Sequence, residues 1–379
     1  MDFNLTEEQL EMQEMFREFA LKEVAPKAIE VDETHEFPLE NVKKMQELGF
    51  FGIPFAEQYG GIDMGTLTYV LAVEELSKVC ATTGVIVSAH TSLGGGAIES
   101  FGTEEQKEKY LTPLASGEAL GAFALTEPDA GTDAAGQKTV AVLEGDHYVL
   151  NGSKIFITNA GYADTYVVFA MTDKSQGTKG ISAFIVEKDF EGFSLGTKEK
   201  KMGIHGSSTY ELVFNNCKVP KENLLGEVGK GFKIAMHTLD GGRIGIAAQA
   251  LGIAQGALDR TVKYVKERKQ FGRSLDKFQN TQFQLADMDA RIQAARLLVY
   301  RAAWLKDNGE NYTVAAATAK LIASETAMDV TTKCVQLHGG YGYTQEYEVE
   351  RMMRDAKITE IYEGTSEVMR MVIAGNLLR

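Results

Sequence analysis

The run HYVLNGSKIFIT, residues 147–158, sets two apolar stretches on either side of an Asn151-Gly152 pair. Alternating runs joined by Asn-Gly are the strongest short-range hairpin signal, so 147–150 and 153–158 are expected to be two strands meeting at a turn. Short runs rich in Val, Ile, Phe, Tyr and Thr recur at 166–171, 181–187 and 210–214, bounded by Gly, Asn and Asp. Strands that follow one another without helices between them predict an antiparallel barrel or sandwich over residues 121–230.

On both sides of this region the period changes from two to that of a helix. Met12, Met15, Phe16, Phe19 and Ala20 recur at helical spacing, and Thr6 followed by Glu8 and Gln9 is a plausible capped start. Further helical segments are expected at 39–48, 67–79 and 104–116, with breaks such as Gly60-Gly61. After Gly231 come four long ones, at 232–267, 281–307, 314–337 and 366–378, and the Gly- and Ala-rich stretch 245–252 would let helices approach closely. The expected fold is α+β in three domains: all-α at 1–120, β at 121–230, and a four-helix-bundle-like unit at 231–379.

Composition narrows the partners. A length of 379 residues favours two or three packed units, and 44% apolar with 24% charged residues and 6 prolines excludes a disordered chain. Lys and Arg total 39 against 53 Asp and Glu, and the net charge of -14 repels nucleic acid and anionic lipid, although local basic residues can still hold a small anion. The basic segment 263–273, with Lys266, Arg268, Lys269 and Arg273, is read as a helix face that is either solvated or diphosphate-binding. Cys80, Cys217 and Cys334 form no CxxC pair and are expected to be buried thiols. Six scattered histidines give no metal-ligand spacing. The acidic amphipathic start is not a leader, and 79–98 is too interrupted by polar residues and glycine for a membrane span, so a cytoplasmic protein is expected. GxGxxG, GxxxxGK[ST] and GxSxG are absent.

Three polar clusters remain, each with two readings. ALTEPDAGTDAAG at 124–136 is either a turn-rich linker or a loop presenting backbone N–H groups to a ligand. QLHGGYGY at 336–343 reads as a glycine helix exit, with His338 packed or capping, or as part of a site. IYEGTSE at 361–367 starts the last helix, yet it also sets Glu363 beside a glycine and an aromatic, a sensible place for a carboxylate base.

Together these clusters resemble the signatures of the acyl-CoA dehydrogenases, most closely the short-chain, butyryl-CoA type. One signature is ALTEPDAGTDAAG. The other runs from Gln336 through Gly339, Gly340, Gly342, Glu346 and Arg351 to Asp355, and IYEGT at 361–365 completes the set in family order along the whole chain. The resemblance implies a homotetramer, a dimer of dimers, with FAD in each subunit. It implies that Phe123, Leu125, Thr126, Thr132, Phe156, Thr158, Thr365 and Glu367 line the flavin, while Arg268, Phe271, Gln279, Gln336, Gly339 and Gly340 reach FAD from neighbouring subunits.

The implied reaction is α,β-dehydrogenation of an acyl-CoA thioester to the trans-2-enoyl-CoA, with Glu363 as α-proton base, hydride passing to FAD, and reoxidation by an electron-transferring flavoprotein. Thr132, Asp240, Arg243 and Gly364 match substrate-contacting positions. Some relatives carry the base immediately before the arginine that matches Arg243; here that residue is Gly242, which leaves Glu363 as the family-consistent base. Gly84 stands where glutaryl-type relatives place an arginine, which disfavours a dicarboxylyl substrate. An acyl-CoA oxidase, a branched-short-chain dehydrogenase and a non-catalytic binding protein on the same scaffold are the alternatives.

Overall fold

Thr6 begins the first helix as a capping box: its hydroxyl accepts from the Gln9 N–H at 3.2 Å, and its own N–H donates to the Gln9 side chain at 3.0 Å. The computed structural model describes residues 4–379, so residues 1–3 of the expected first domain lie outside the described residues. The N-terminal helices are α1 (Glu7–Phe19), α2 (Ala28–Thr34), α3 (Leu39–Glu47), α4 (Gly65–Ser77), α5 (Ala81–Ser88), α6 (Gly96–Phe101), α7 (Glu104–Gln106) and α8 (Thr112–Ala115). A π-helical segment, Ala89–Gly95, joins α5 to α6, so the apolar stretch at 79–98 is almost entirely helical and buried. Among the described residues no helix is long and apolar enough to cross a membrane.

The strands are β1 (Gly121–Ala124), β2 (Val140–Glu144), β3 (His147–Thr158), β4 (Thr165–Met171), β5 (Ile181–Glu187), β6 (Phe193–Lys198), β7 (Thr209–Pro220) and β8 (Leu224–Leu225). They form one sheet in the order β6-β7-β3-β2-β4-β5-β8, with β1 on β4. Pairing is mostly antiparallel, but β1 runs parallel to β4, and β2 meets β4 in parallel at Val140 and Met171. The expected hairpin at Asn151-Gly152 is not there. β3 is a single strand of 12 residues, and the tight turn lies earlier, at Gly145-Asp146, where Glu144 pairs with His147. Asn151-Gly152 instead marks a register shift against β7, where the Asn151 side chain accepts from the Asn216 N–H at 2.8 Å. Gly152 has φ 146°, and a Cβ there would lie 2.4 Å from Thr139 Oγ1, so the glycine serves a close approach rather than a turn.

A second shift, between Lys154 and Ile157, turns Phe156 outward at φ 61° and buries Lys154 completely. The Lys154 ammonium donates to Glu127 Oε1 at 2.7 Å, to Gln137 Oε1 at 3.1 Å and to the Leu125 carbonyl at 3.0 Å. Glu127 also accepts from the backbone N–H groups of Lys138 at 2.5 Å and Thr139 at 3.0 Å. The loop leaving β1 is thereby fixed to β3, and the Ile155 N–H donates to the Thr126 carbonyl at 2.9 Å.

The C-terminal helices are α9 (Gly231–Glu267), α10 (Gln279–Asp307), α11 (Thr313–His338), α12 (Val349–Thr359) and α13 (Ser366–Leu377); α12 had no separate counterpart in the sequence reading. The basic segment is not helical throughout. α9 ends at Glu267, and β9 (Lys269–Gln270) and β10 (Arg273–Ser274) form a small hairpin with Phe271 at its tip. One core joins α1, α4 and α5 to α9, α10 and α11, while two smaller cores cover the faces of the sheet. All three cysteines are buried and free.

Burial holds Lys154 down at about 8, whereas Glu127 stays below the ordinary carboxylate range because Lys154 and the backbone donors outweigh its desolvation. The lysine therefore bears the larger cost of the pair. Lys154→Met leaves Glu127 charged and buried but still bonded to two N–H groups, so the loss of stability should be about 3 kcal/mol, the low end for breaking a buried ion pair. Urea unfolding followed by a probe in the sheet checks this.

Candidate active site

Glu363 sits between α12 and α13 at φ 54°, a left-handed conformation that costs a residue with a side chain about 1–2 kcal/mol. Gly364 follows at φ 101°, and Thr365 caps α13 by accepting from the Val368 N–H at 3.3 Å. Surrounding contacts hold the strained turn. The Lys320 ammonium donates to the Gly364 carbonyl, the Tyr362 hydroxyl donates to Gln249 Oε1, and the Ser366 N–H donates to the Glu360 carbonyl at 3.0 Å. The backbone N–H groups of Glu363 and Gly364 have no partner among the described residues.

Although Glu363 as a whole is half-buried, its Oε2 is inaccessible and without a hydrogen-bond partner. It rests against α9, where a Cβ on Gly242 would come within 2.1 Å of it. Burial raises this carboxyl from 4.5 to about 7, while Lys320 and Arg243 pull the other way. Lys320 is itself fully buried, and desolvation brings it down to about 8. No motif marks it in the sequence, where its signal is a lone charge in the run AAATAKLIA, 315–323.

Asp240 and Arg243 lie one turn apart on α9 and pair at 2.5 Å, with Thr313 donating to the second Asp240 oxygen at 2.7 Å. Arg243 is buried, and its Nε has no partner among the described residues. Glu363, Gly364, Asp240 and Arg243 thus come together at one place, with Leu93 of the π-helical segment against Gly242. A Cβ on Gly84 would lie 2.0 Å from Ser77 Oγ, so α4 packs directly against that position.

The exit of β1 carries the second group. Phe123 packs on Phe169 with ring centroids 4.9 Å apart, Leu125 is buried, and Phe156 is 58% exposed. Hydroxyls of Thr126, Thr132 and Thr158 have no hydrogen-bond partner among the described residues. An outward aromatic ring beside unpaired hydroxyls suits a flat polar heterocycle, so these residues fit FAD. Glu367 lies exposed in the first turn of α13, its carboxyl held below the usual range by its own backbone N–H and the Thr365 hydroxyl, as expected of helix-start chemistry.

A third group forms at the far end of α9. Arg268 lies with its guanidinium 5.2 Å from the Tyr341 ring, and Phe271 is 94% exposed at φ 53°. Gln279, Gln336, Gly339 and Gly340 are exposed. His338 is a packed residue, stacked on Tyr264 with its Nδ1 2.7 Å from the Cys334 carbonyl, and Gly339 ends α11 at φ 62°. Arg268 lies 26 residues beyond Gly242, which along an α-helix is about 39 Å. The structure does not bring this group to Glu363 within one chain.

Family models match the chain in three consecutive pieces: acyl-CoA dehydrogenase N-terminal domain over residues 6–118, middle domain over 122–217, and C-terminal domain over 229–378. A short-chain-specific acyl-CoA dehydrogenase of Clostridium acetobutylicum is 67% identical over 379 residues, with 100% of both chains covered. The solved butyryl-CoA dehydrogenase of Megasphaera elsdenii superposes with a TM-score of 0.99 at 57% identity and covers 100% of each chain. A chain in the structure described as the electron transferring flavoprotein of Acidaminococcus fermentans, in work on flavin-based electron bifurcation, also reaches a TM-score of 0.99, at 62% identity with 100% of each chain covered. Matches over the full length of the chain, added to a half-buried glutamate packed against α9 and a β-domain loop suited to FAD, establish that the chain belongs to the acyl-CoA dehydrogenase family.

Proposed function

We propose that this protein removes the α-proton and β-hydride of short-chain, butyryl-like acyl-CoA thioesters to give trans-2-enoyl-CoA, with Glu363 as the base. It works in the cytoplasm as a homotetramer and delivers its electrons to an electron-transferring flavoprotein. One observation carries the reading: a Glu363 carboxyl raised by burial to about 7, with its Oε2 and the N–H groups of its turn unpartnered among the described residues. A carboxylate of ordinary pKa is a poor base for a proton α to a carbonyl, and raising its pKa towards the working pH strengthens it. The free N–H of Glu363 suits the thioester oxygen, where negative charge develops as the proton leaves.

FAD, when bound, supplies the hydride acceptor. Phe123, Leu125, Thr126, Thr132, Phe156, Thr158, Thr365 and Glu367 are proposed to hold it. Arg268, Phe271, Gln279, Gln336, Gly339 and Gly340 would reach the FAD of neighbouring subunits, since about 39 Å of helix separates Arg268 from the Gly242 turn. Arg243, paired to Asp240, keeps positive charge near Glu363 and is proposed with Asp240, Thr132 and Gly364 to contact the acyl-CoA. Lys320 fixes the Gly364 carbonyl and favours the ionised base.

The purified protein should be yellow and should bleach anaerobically with butyryl-CoA. Glu363→Gln should keep the colour and lose bleaching and α-proton exchange by at least a thousandfold; undiminished bleaching moves the base elsewhere. In the parent, kcat/KM should fall about tenfold per pH unit below about 7, because the protonated carboxyl cannot accept the proton.

Stability carries the opposite trend. A carboxyl whose folded-state pKa is raised from 4.5 to about 7 favours the folded state most below pH 4.5 and withdraws that contribution as the pH rises to 7. The gain in Tm of Glu363→Gln over the parent should therefore be larger at pH 8 than at pH 5.

Gly242→Ala tests the close approach. Its methyl would displace Glu363 Oε2, so kcat should fall at least tenfold while FAD absorbance and far-UV circular dichroism stay those of the parent.

A further inference from the structure

Three residues beyond Gly242 along the same helix, α9 presents a second bare position, Gly245. A Cβ there would meet the Tyr69 hydroxyl oxygen at 2.3 Å and Ser88 Oγ at 2.4 Å. Tyr69, on α4, is 2% exposed, and Ser88 at the end of α5 is fully buried. The phenol donates to Ser88 Oγ at 3.2 Å, and the Ser92 hydroxyl donates to the Ser88 carbonyl at 2.6 Å. Tyr69 also lies near enough to Glu363 for the carboxylate to add to the rise that burial imposes on the phenol.

Geometry then limits what can extend past the base. An α-carbon that gives its proton to Glu363 must lie beside the Gly242 turn. Gly245 is about 4.5 Å further along the helix, the span of about three carbon–carbon bonds of ~1.5 Å. At that depth the space against α9 is already taken by a phenol that a hydrogen-bonded serine holds in place. An empty glycine flank leaves the ring end-on to the helix backbone, so it closes the space without a flexible aliphatic side chain that a longer acyl group could push aside.

We infer that Tyr69, braced by Ser88 and seated on Gly245, is the floor of the acyl pocket and sets the upper limit on acyl chain length. The inference rests on Glu363 as the base. It makes chain-length selection a property of an N-terminal helix rather than of the turn that carries the base.

The test is an acyl-CoA series from butyryl to octanoyl, on holoenzyme, read as the ratio of kcat/KM for octanoyl-CoA to that for butyryl-CoA. Tyr69→Ala should raise this ratio at least tenfold, mainly through KM for the longer substrate, because buried methylenes each contribute about fourfold. Tyr69→Phe keeps the packing volume and removes only the hydroxyl facing Gly245; it should raise the hexanoyl-to-butyryl ratio by about threefold. A folded, yellow Tyr69→Ala protein with the parental ratio overturns the inference. Should Tyr69→Ala fail to fold, an unchanged hexanoyl-to-butyryl ratio in Tyr69→Phe overturns it equally.

Binding of trans-2-enoyl-CoA esters of the same lengths, followed by the flavin spectrum, separates the two readings. Undiminished bleaching of Glu363→Gln by butyryl-CoA, with the predicted shift in binding across the Tyr69 variants, removes Glu363 as base but keeps the floor. Loss of bleaching in Glu363→Gln with length-independent binding in the Tyr69 variants does the reverse.

Discussion

One face of α9 has almost no side chains, and the packing of the molecule follows from it. Gly242, Gly245, Gly252 and Gly256 are spaced along that face, and a Cβ on any of them would lie within 2.4 Å of another group: the Glu363 carboxylate, the Tyr69 hydroxyl, the Glu74 carbonyl and the Lys78 carbonyl in turn. Between them Gln249 donates to the Ala81 carbonyl at 3.0 Å and accepts from the Tyr362 hydroxyl. The N-terminal helices α4 and α5 and the turn after α12 therefore meet on one backbone surface. Close approach of backbones excludes water without needing bulky residues, and it is why a carboxylate from one segment and a phenol from another lie within one or two helical turns of each other.

That arrangement creates the electrostatic problem the site turns to use. Burying Glu363 against helix backbone raises its pKa by a shift that corresponds to about 3 kcal/mol of destabilisation of the ionised form. Lys320 and Arg243 offset part of this without forming an ion pair with it, because each is engaged elsewhere: Lys320 with the Gly364 carbonyl and Arg243 with Asp240. A direct salt bridge would stabilise the carboxylate further and make it a weaker base. The left-handed φ of Glu363 adds strain at the same residue, and such strain persists only where neighbours over-determine the conformation, here through Tyr362, Lys320 and the cap of α13.

The three-part fold was legible because the period of the apolar residues changes at each boundary, and the long helices of the last part came out within two residues of their observed ends. Asn151-Gly152 misled for a physical reason. The same pair that suits a tight turn also suits a bulge where a strand needs a positive φ and no Cβ, and only the partner strand β7 distinguishes the two. Residues recognised by their motif, such as Glu363 and Arg243, were found together. Tyr69, Ser88, Gln249 and Lys320 were not singled out, because each is ordinary in its own helix and acquires meaning only from what α9 brings opposite it. The tight seating of Gly84 on Ser77 of α4 is likewise a matter of packing, invisible to an ungapped comparison.

The third group of residues bears on why such a chain would assemble. Phe271 exposes nearly its whole ring at the tip of the β9–β10 hairpin, in a backbone conformation unfavourable for a bulky side chain, and among the described residues a ring contact with Phe278 at 6.3 Å is all that offsets either cost. Arg268 carries a guanidinium shaped for a diphosphate and, in an acidic chain of net charge -14, has no carboxylate partner among the described residues; it lies over the face of Tyr341 and near Tyr264. Both features make sense if another subunit supplies what they face. In the proposed tetramer, Arg268 and Phe271 would hold a neighbouring subunit's FAD, so cofactor binding and subunit association would stabilise each other, and each should weaken when the other is removed.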